Sequence, residues 1–196
     1  MTLLRNLLKL YGEESQSTDP MVTVSRALVI FRLSQVDGEC AMIEASPRLC
    51  IGSAGAAYNK AGLQAKAVTH ILCLCPTLRL NYPETFTYRR VSLMDNDHDP
   101  RQLARLMPAC LEFIEEALAS SPSSIVLVHC FQGKSRSAAV CISYMMHKLG
   151  LSYAQALEHL RKTRPVAEPN PSFSLYLQRL SENPSKCPLE SICESL

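Results

Sequence analysis

The sequence predicts an α/β domain, with a central, mostly parallel twisted sheet flanked by helices. Short apolar runs of strand length recur along the chain, at LCIGS, HILCLC, TYRRVSL and IVLVH. Between them lie helical segments, the clearest over residues 101–119, where Leu103, Leu106, Met107, Cys110, Phe113, Ile114 and Leu118 repeat on one face. Strands separated by connections of that length pair in parallel, because a helical crossover returns the chain to the same end of the sheet. At 196 residues the chain is long enough for one domain with its own core.

The elements follow in order. Leu3, Leu4, Leu7 and Leu8 have helical spacing and Gly12 is a stop, giving a short helix that either packs on the domain or docks a partner or a membrane surface. EESQSTDP is a polar linker, and ALVIFRL and CAMIEA read as strands around an Asp37-Gly38 turn, with a helix in the first run left open. Residues 1–45 are thus a variable extension, 46–181 the domain proper, and 182–196 a polar tail expected to be flexible. LCIGS is a strand, and Ser53 caps a helix reaching Lys66. His70 to Cys75 and TYRRVSL are strands, the 101–119 helix follows, and IVLVH is a buried strand. Two or three helices close the domain, with RPVAEPNP a rigid loop among them, because Pro165, Pro169 and Pro171 interrupt a helix there.

Residues 124–137, SIVLVHCFQGKSRS, carry the chemistry. A strand ends in His129-Cys130, and a short loop of Phe131, Gln132, Gly133, Lys134 and Ser135 leads to Arg136, Ser137 and a helix reaching Leu149. Strand, tight loop and helix N-terminus form an anion cradle, in which successive N–H groups converge and the helix dipole adds positive potential. Arg136 can grip two phosphate oxygens with its planar fork. Amides and arginine together favour Cys130 as the thiolate, the nucleophilic form. A thiolate facing a bound phosphate is the machinery of phosphoryl transfer through cysteine.

The chain resembles the cysteine-based protein tyrosine phosphatase superfamily, in its small, atypical dual-specificity branch. The resemblance runs from about Ser46 to Leu180 and rests on SPRLCIGSAGAAYNK, THILCLC, VSLMDND, LEFIEEAL, VHCFQGKSRSAAV and RPVAEPNPSF in that order. It implies hydrolysis of phosphotyrosine and phosphoserine/threonine in proteins, with Cys130 as nucleophile and Arg136 and the loop amides holding the phosphoryl oxygens. Ser137 would donate to the Cys130 sulfur, with N-capping of the helix as its structural alternative. His129 would order the loop. Asp95, directly after the TYRRVSL strand, takes the position of the general acid, ahead of Asp97 and with Asn96 beside it. Asn170 matches a position that braces the loop through backbone hydrogen bonds, and Lys134 adds a cation near the mouth. In some relatives a second cysteine rescues the oxidised nucleophile, and Cys73 and Cys75 are the residues to consider here.

A phosphatase for lipid, nucleotide or RNA phosphate is the enzyme alternative. Phosphoinositide-type relatives often carry two basic residues after the cysteine, whereas this loop has Lys134 alone before Arg136. A non-catalytic phosphate-binding scaffold is the other alternative, opposed by the retention of Cys130, Arg136, Ser137 and an acid. No metal or cofactor is expected, because the positive field comes from arginine, amides and the helix end. A net charge of +2 gives no bulk attraction to nucleic acid, and phosphoproteins are the expected partners. No apolar run approaches the roughly 18 residues a membrane span needs. A signal-peptide pattern is absent from the N-terminus, and Thr2 does not suit myristoylation. Nine cysteines in scattered spacing suit a reducing compartment, cytoplasmic or also nuclear.

Overall fold

The computed structural model describes residues 37–96 and 100–182. The N-terminal leucine helix, the ALVIFRL run, Asp97 and the C-terminal tail lie outside them. Five strands, β1 (Cys40–Met42), β2 (Leu49–Gly52), β3 (His70–Cys73), β4 (Thr87–Arg90) and β5 (Val126–His129), form one sheet in the order β1-β2-β5-β3-β4. Among the described residues only β1 runs antiparallel to its neighbour, and β2, β5, β3 and β4 pair in parallel. β5, last in sequence, is therefore central, and its register sets Gly52 and Cys73 beside His129.

Every residue of β2 and β5 is buried, as continuous apolar runs covered on both faces require. Alternation divides their side chains. Val126 and Val128 join the larger core with α3 (Pro100–Ser120) and α4 (Arg136–Leu149). Leu127 turns the other way, with Cys50 and Ile71, onto α1 (Ala54–Tyr58) and α2 (Lys60–Ala65) through Ala56 and Leu63. Two further helices, α5 (Tyr153–Thr163) and α6 (Pro171–Glu182), complete the larger face. α3 matches the expected helix closely and continues through Pro108, forgoing one ladder hydrogen bond.

Several expectations need correction. The single helix from Ser53 to Lys66 is two, because Asn59 leaves helical geometry and its side chain accepts from the Gly62 amide, capping a new start. Ser53 does cap the first, accepting from the Ala56 amide. Residues 40–42, assigned to the extension, pair with β2 and belong to the sheet. The HILCLC and TYRRVSL runs enter the ladder only through Cys73 and Arg90 before turning into loops. Pro171 begins α6, because a proline at the first helical position loses no intrahelical bond.

Candidate active site

Cys130 leaves the central strand at the sheet's C-terminal edge, beneath the start of α4. The loop that follows is held from behind. The Ala54 amide donates to the Phe131 carbonyl at 2.9 Å, Arg164 Nη2 to that of Gln132 at 3.0 Å, Arg164 Nε to that of Gly133 at 3.2 Å, and the Glu168 amide to that of Lys134 at 2.8 Å. No peptide here is cis, so each carbonyl held outside turns the next residue's N–H to the inside. Gly133 makes the turn possible with φ of +68°, and a Cβ there would come within 2.7 Å of the Gly52 carbonyl oxygen.

Cys130 Sγ lies at the bottom of this cup, 1% exposed and 3.2 Å from Ser137 Oγ. The capping alternative for Ser137 is overturned: Ser135 precedes the helix, and Ser137 is fully buried inside its first turn with its hydroxyl beside the sulfur. His129 is also buried, with Nδ1 3.3 Å from the Cys130 carbonyl oxygen. Burial pushes its imidazole down to about 4, and the charges of Arg136 and Arg90 work in the same direction. It is therefore neutral near pH 7, suited to ordering backbone and unsuited to titrating there.

Arg136 reaches across the mouth of the cup. Its Nη1 donates to the Leu93 carbonyl at 3.4 Å, and Nε lies 3.5 Å from Asp95 Oδ2. That approach is an ion pair without hydrogen-bond geometry, so the Nε proton is buried and still available to an oxyanion. Asp95 Oδ1 accepts from Ser135 Oγ at 2.6 Å and from Asn170 Nδ2 at 3.0 Å. The Asn170 amide in turn donates to Ser135 Oγ at 3.1 Å. Asn170 thus reaches the loop through the Ser135 side chain, and its side-chain amide adds a direct tie to Asp95. Asn96 offers its carbonyl to Ser172 Oγ. Lys134 is paired with Glu168 at 2.6 Å. A cleft of about 750 Å³ opens above the sulfur, with Arg136 and Asp95 on one wall and Tyr153, Leu157 and Arg161 on another.

Residues 49–183 match the family model of the dual specificity phosphatase catalytic domain. The chain belongs to this family. The phosphatase is 39% identical over 158 residues to dual specificity protein phosphatase 1 of Arabidopsis thaliana, a match covering 81% of this chain and 77% of the relative. Human Slingshot homolog 3 is 43% identical over 135 residues, 67% of this chain and 19% of that longer protein. The crystal structure of human DUSP28 superposes with a TM-score of 0.66 at 34% identity, covering 76% of this chain and 97% of that one. The protein is a cysteine-based protein phosphatase of the small dual-specificity kind, a hydrolase that works through a phosphocysteine intermediate.

Of the residues expected at the site, Cys130, Arg136, Asp95, Ser137, His129 and Asn170 come together around one cup. Sequence reasoning missed Ser135 as a contact of the acid, and it missed Arg164 and Glu168 behind the loop. An arginine ahead of a proline looks like any helix-terminal cation, so nothing local flagged Arg164. Cys73 and Cys75 stand on and just after β3, beside the strand that carries Cys130. Burial raises both thiols, that of Cys75 to about 12, which leaves them poor nucleophiles toward an oxidised partner.

Proposed function

We propose that this phosphatase cleaves phosphoester side chains of proteins with Cys130 as nucleophile and Asp95 as general acid. The Cys130 thiolate attacks phosphorus, the bond from phosphorus to the ester oxygen breaks, and the Asp95 carboxyl gives its proton to that departing oxygen. Arg136 and the inward loop amides hold the equatorial oxygens, where charge spreads in the transition state. In the second step the Asp95 carboxylate takes a proton from water, whose oxygen attacks phosphorus. The P–S bond breaks, and the Ser137 hydroxyl stabilises the departing thiolate. Neutral His129 orders the loop.

The observation that carries this reading is the placing of Asp95 beside Arg136 over the Cys130 cup, held there by Ser135 and Asn170. A phosphoryl group bound in the cup then meets nucleophile and acid on opposite sides. Lys134, engaged with Glu168, is a weak counter-charge for a polyphosphorylated lipid headgroup, which favours protein substrates over that alternative. A reducing compartment, cytoplasm or nucleus, suits a thiolate enzyme and the buried free cysteines of the described residues.

The test pairs two variants. Cys130→Ser is expected to abolish turnover while still binding inorganic phosphate. Asp95→Ala is expected to slow alkyl phosphates by about 10²- to 10⁴-fold, while aryl phosphates with activated leaving groups lose far less. Turnover by pure Cys130→Ser protein, or that selective loss appearing in Asp97→Ala instead, would overturn the assignment.

A further inference from the structure

We propose that Arg164 and Asp37 act as a positioning pair, Asp37 aiming the Arg164 fork at the backbone of the phosphate-binding loop and so setting the affinity of the cup for oxyanions. The proposal rests on the reading of that loop as the phosphoryl site.

Arg164 follows α5 and is 7% exposed. One edge of its guanidinium meets Asp37 in a two-point fork, Nη1 to Oδ1 at 3.0 Å and Nη2 to Oδ2 at 2.7 Å. The other hydrogens, on Nη2 and Nε, go to the carbonyls of Gln132 and Gly133. Those two carbonyls belong to the same peptide planes as the amides of Gly133 and Lys134. One side chain therefore aims two of the N–H groups that face the cup. The fit has no slack, because a Cβ on Gly133 would come within 2.8 Å of Arg164 Nη2.

Asp37 is well placed to do the aiming. Its side chain is 44% exposed, yet the carboxylate pairs with the buried arginine and also accepts from the Glu39 amide. Its backbone carbonyl accepts from Ser53 Oγ at 2.5 Å, one residue from the Ala54 amide that holds the Phe131 carbonyl. Burial works to raise the Asp37 carboxyl and the Arg164 fork outweighs it, so the group lies below its ordinary range and stays ionised at neutral pH. A planar fork with fixed donors can serve carboxylate and carbonyls together, and an ammonium cannot.

Electrostatics alone predicts the opposite sign from positioning. Removing the Asp37 charge leaves Arg164 uncompensated near the cup, and a bare positive charge would tighten phosphate. Loss of aim loosens it. The experiment measures the competitive inhibition constant of inorganic phosphate, with kcat and KM for an aryl phosphate, in Asp37→Asn, Asp37→Glu and Arg164→Lys proteins shown folded by circular dichroism. Asp37→Asn and Arg164→Lys are expected to weaken phosphate by about fivefold to thirtyfold, the worth of one or two charge-assisted hydrogen bonds. Asp37→Glu, which keeps the charge, should recover part of that loss, and the double variant should lose no more than the worse single one. A folded Asp37→Asn protein that binds phosphate as well as the parent, or better, overturns the proposal, and this variant decides even if Arg164→Lys fails to fold. Failure of the site itself would appear separately, as a parent enzyme that phosphate does not inhibit or a Cys130→Ser protein that turns over.

Discussion

Ser137 Oγ and Cys130 Sγ stand 3.2 Å apart with almost no solvent between them and the core. This buried hydroxyl lies seven residues along the chain from the cysteine and does not hold the capping position, which belongs to Ser135, so on the mechanism proposed above its task is donation to the thiolate sulfur. On that proposal donation would stabilise the thiolate as attacking and as departing group, and the second matters most when water must displace it. In a Ser137→Ala enzyme the phosphocysteine is expected to accumulate, with kcat reduced about 10- to 100-fold, as expected for a hydrogen bond to a charged group. Rapid-quench measurements should then show a burst of released alcohol followed by slow turnover. A variant that loses rate without a burst would place the serine's effect on the first step.

α6 ties its own stability to the acid through one residue. Asn170 stands immediately before the helix, and its Oδ1 accepts from the Phe173 amide at 2.9 Å, an N-cap worth about 1 kcal/mol. The same side chain donates Nδ2 to Asp95. Asn170→Ser separates the two roles, since serine caps about as well as asparagine and lacks the amide that meets Asp95. The expected outcome is a melting temperature near that of the parent with kcat/KM reduced about tenfold, the worth of one hydrogen bond to a charged group. An unchanged kcat/KM would show that Ser135 alone holds the acid. Elements were legible in the sequence to the extent that their signals are local. The strand, loop and helix around Cys130 occupy adjacent residues, and the apolar repeat of α3 lies within one segment. The split at Asn59 was not legible, because an asparagine amid helix formers gives no sign that its side chain will start a second helix. Asp37 and Arg164 meet across 127 positions, so no spacing connects them.

His129 links the site to the stability of the whole molecule. Its ordinary value is 6.5, and burial first, with Arg136 and Arg90 adding to it, pushes the folded-state value down to about 4. Above 6.5 neither state binds the proton; between 6.5 and about 4 only the unfolded chain does. Stability contributed by the neutral ring is therefore complete above that window and declines as pH falls through it, by at most about 1.4 kcal/mol per pH unit. Urea unfolding across the window should show the decline, and NMR titration of the folded protein should find the ring still neutral at its ordinary midpoint. An imidazole titrating near 6.5 in the folded state would contradict the burial argument. The strand order of the sheet was legible only in part. The apolar run IVLVH reads as a buried strand and LCIGS only as a strand, and the centrality of β5 comes from how the helices cross over.

Among the described residues β4 is the sheet's outermost strand on the side away from β1, and two of its four residues are arginines. Arg89 lies over the Phe113 ring and pairs with Glu112 and Glu116, while Arg90 donates to the Pro76 and Leu78 carbonyls. Neither side chain lines the cleft above Cys130, and together they make the rim of the sheet a poor template for a second copy to add to. With both arginines changed to valine the strand would read TYVV and run on into VSL, a β-prone, uncharged stretch. Such a protein should keep the activity of the parent when dilute and associate rim to rim when concentrated, which light scattering against concentration would reveal. On that outcome the arginines at this rim would be gatekeepers of colloidal behaviour, setting the concentration at which copies begin to associate.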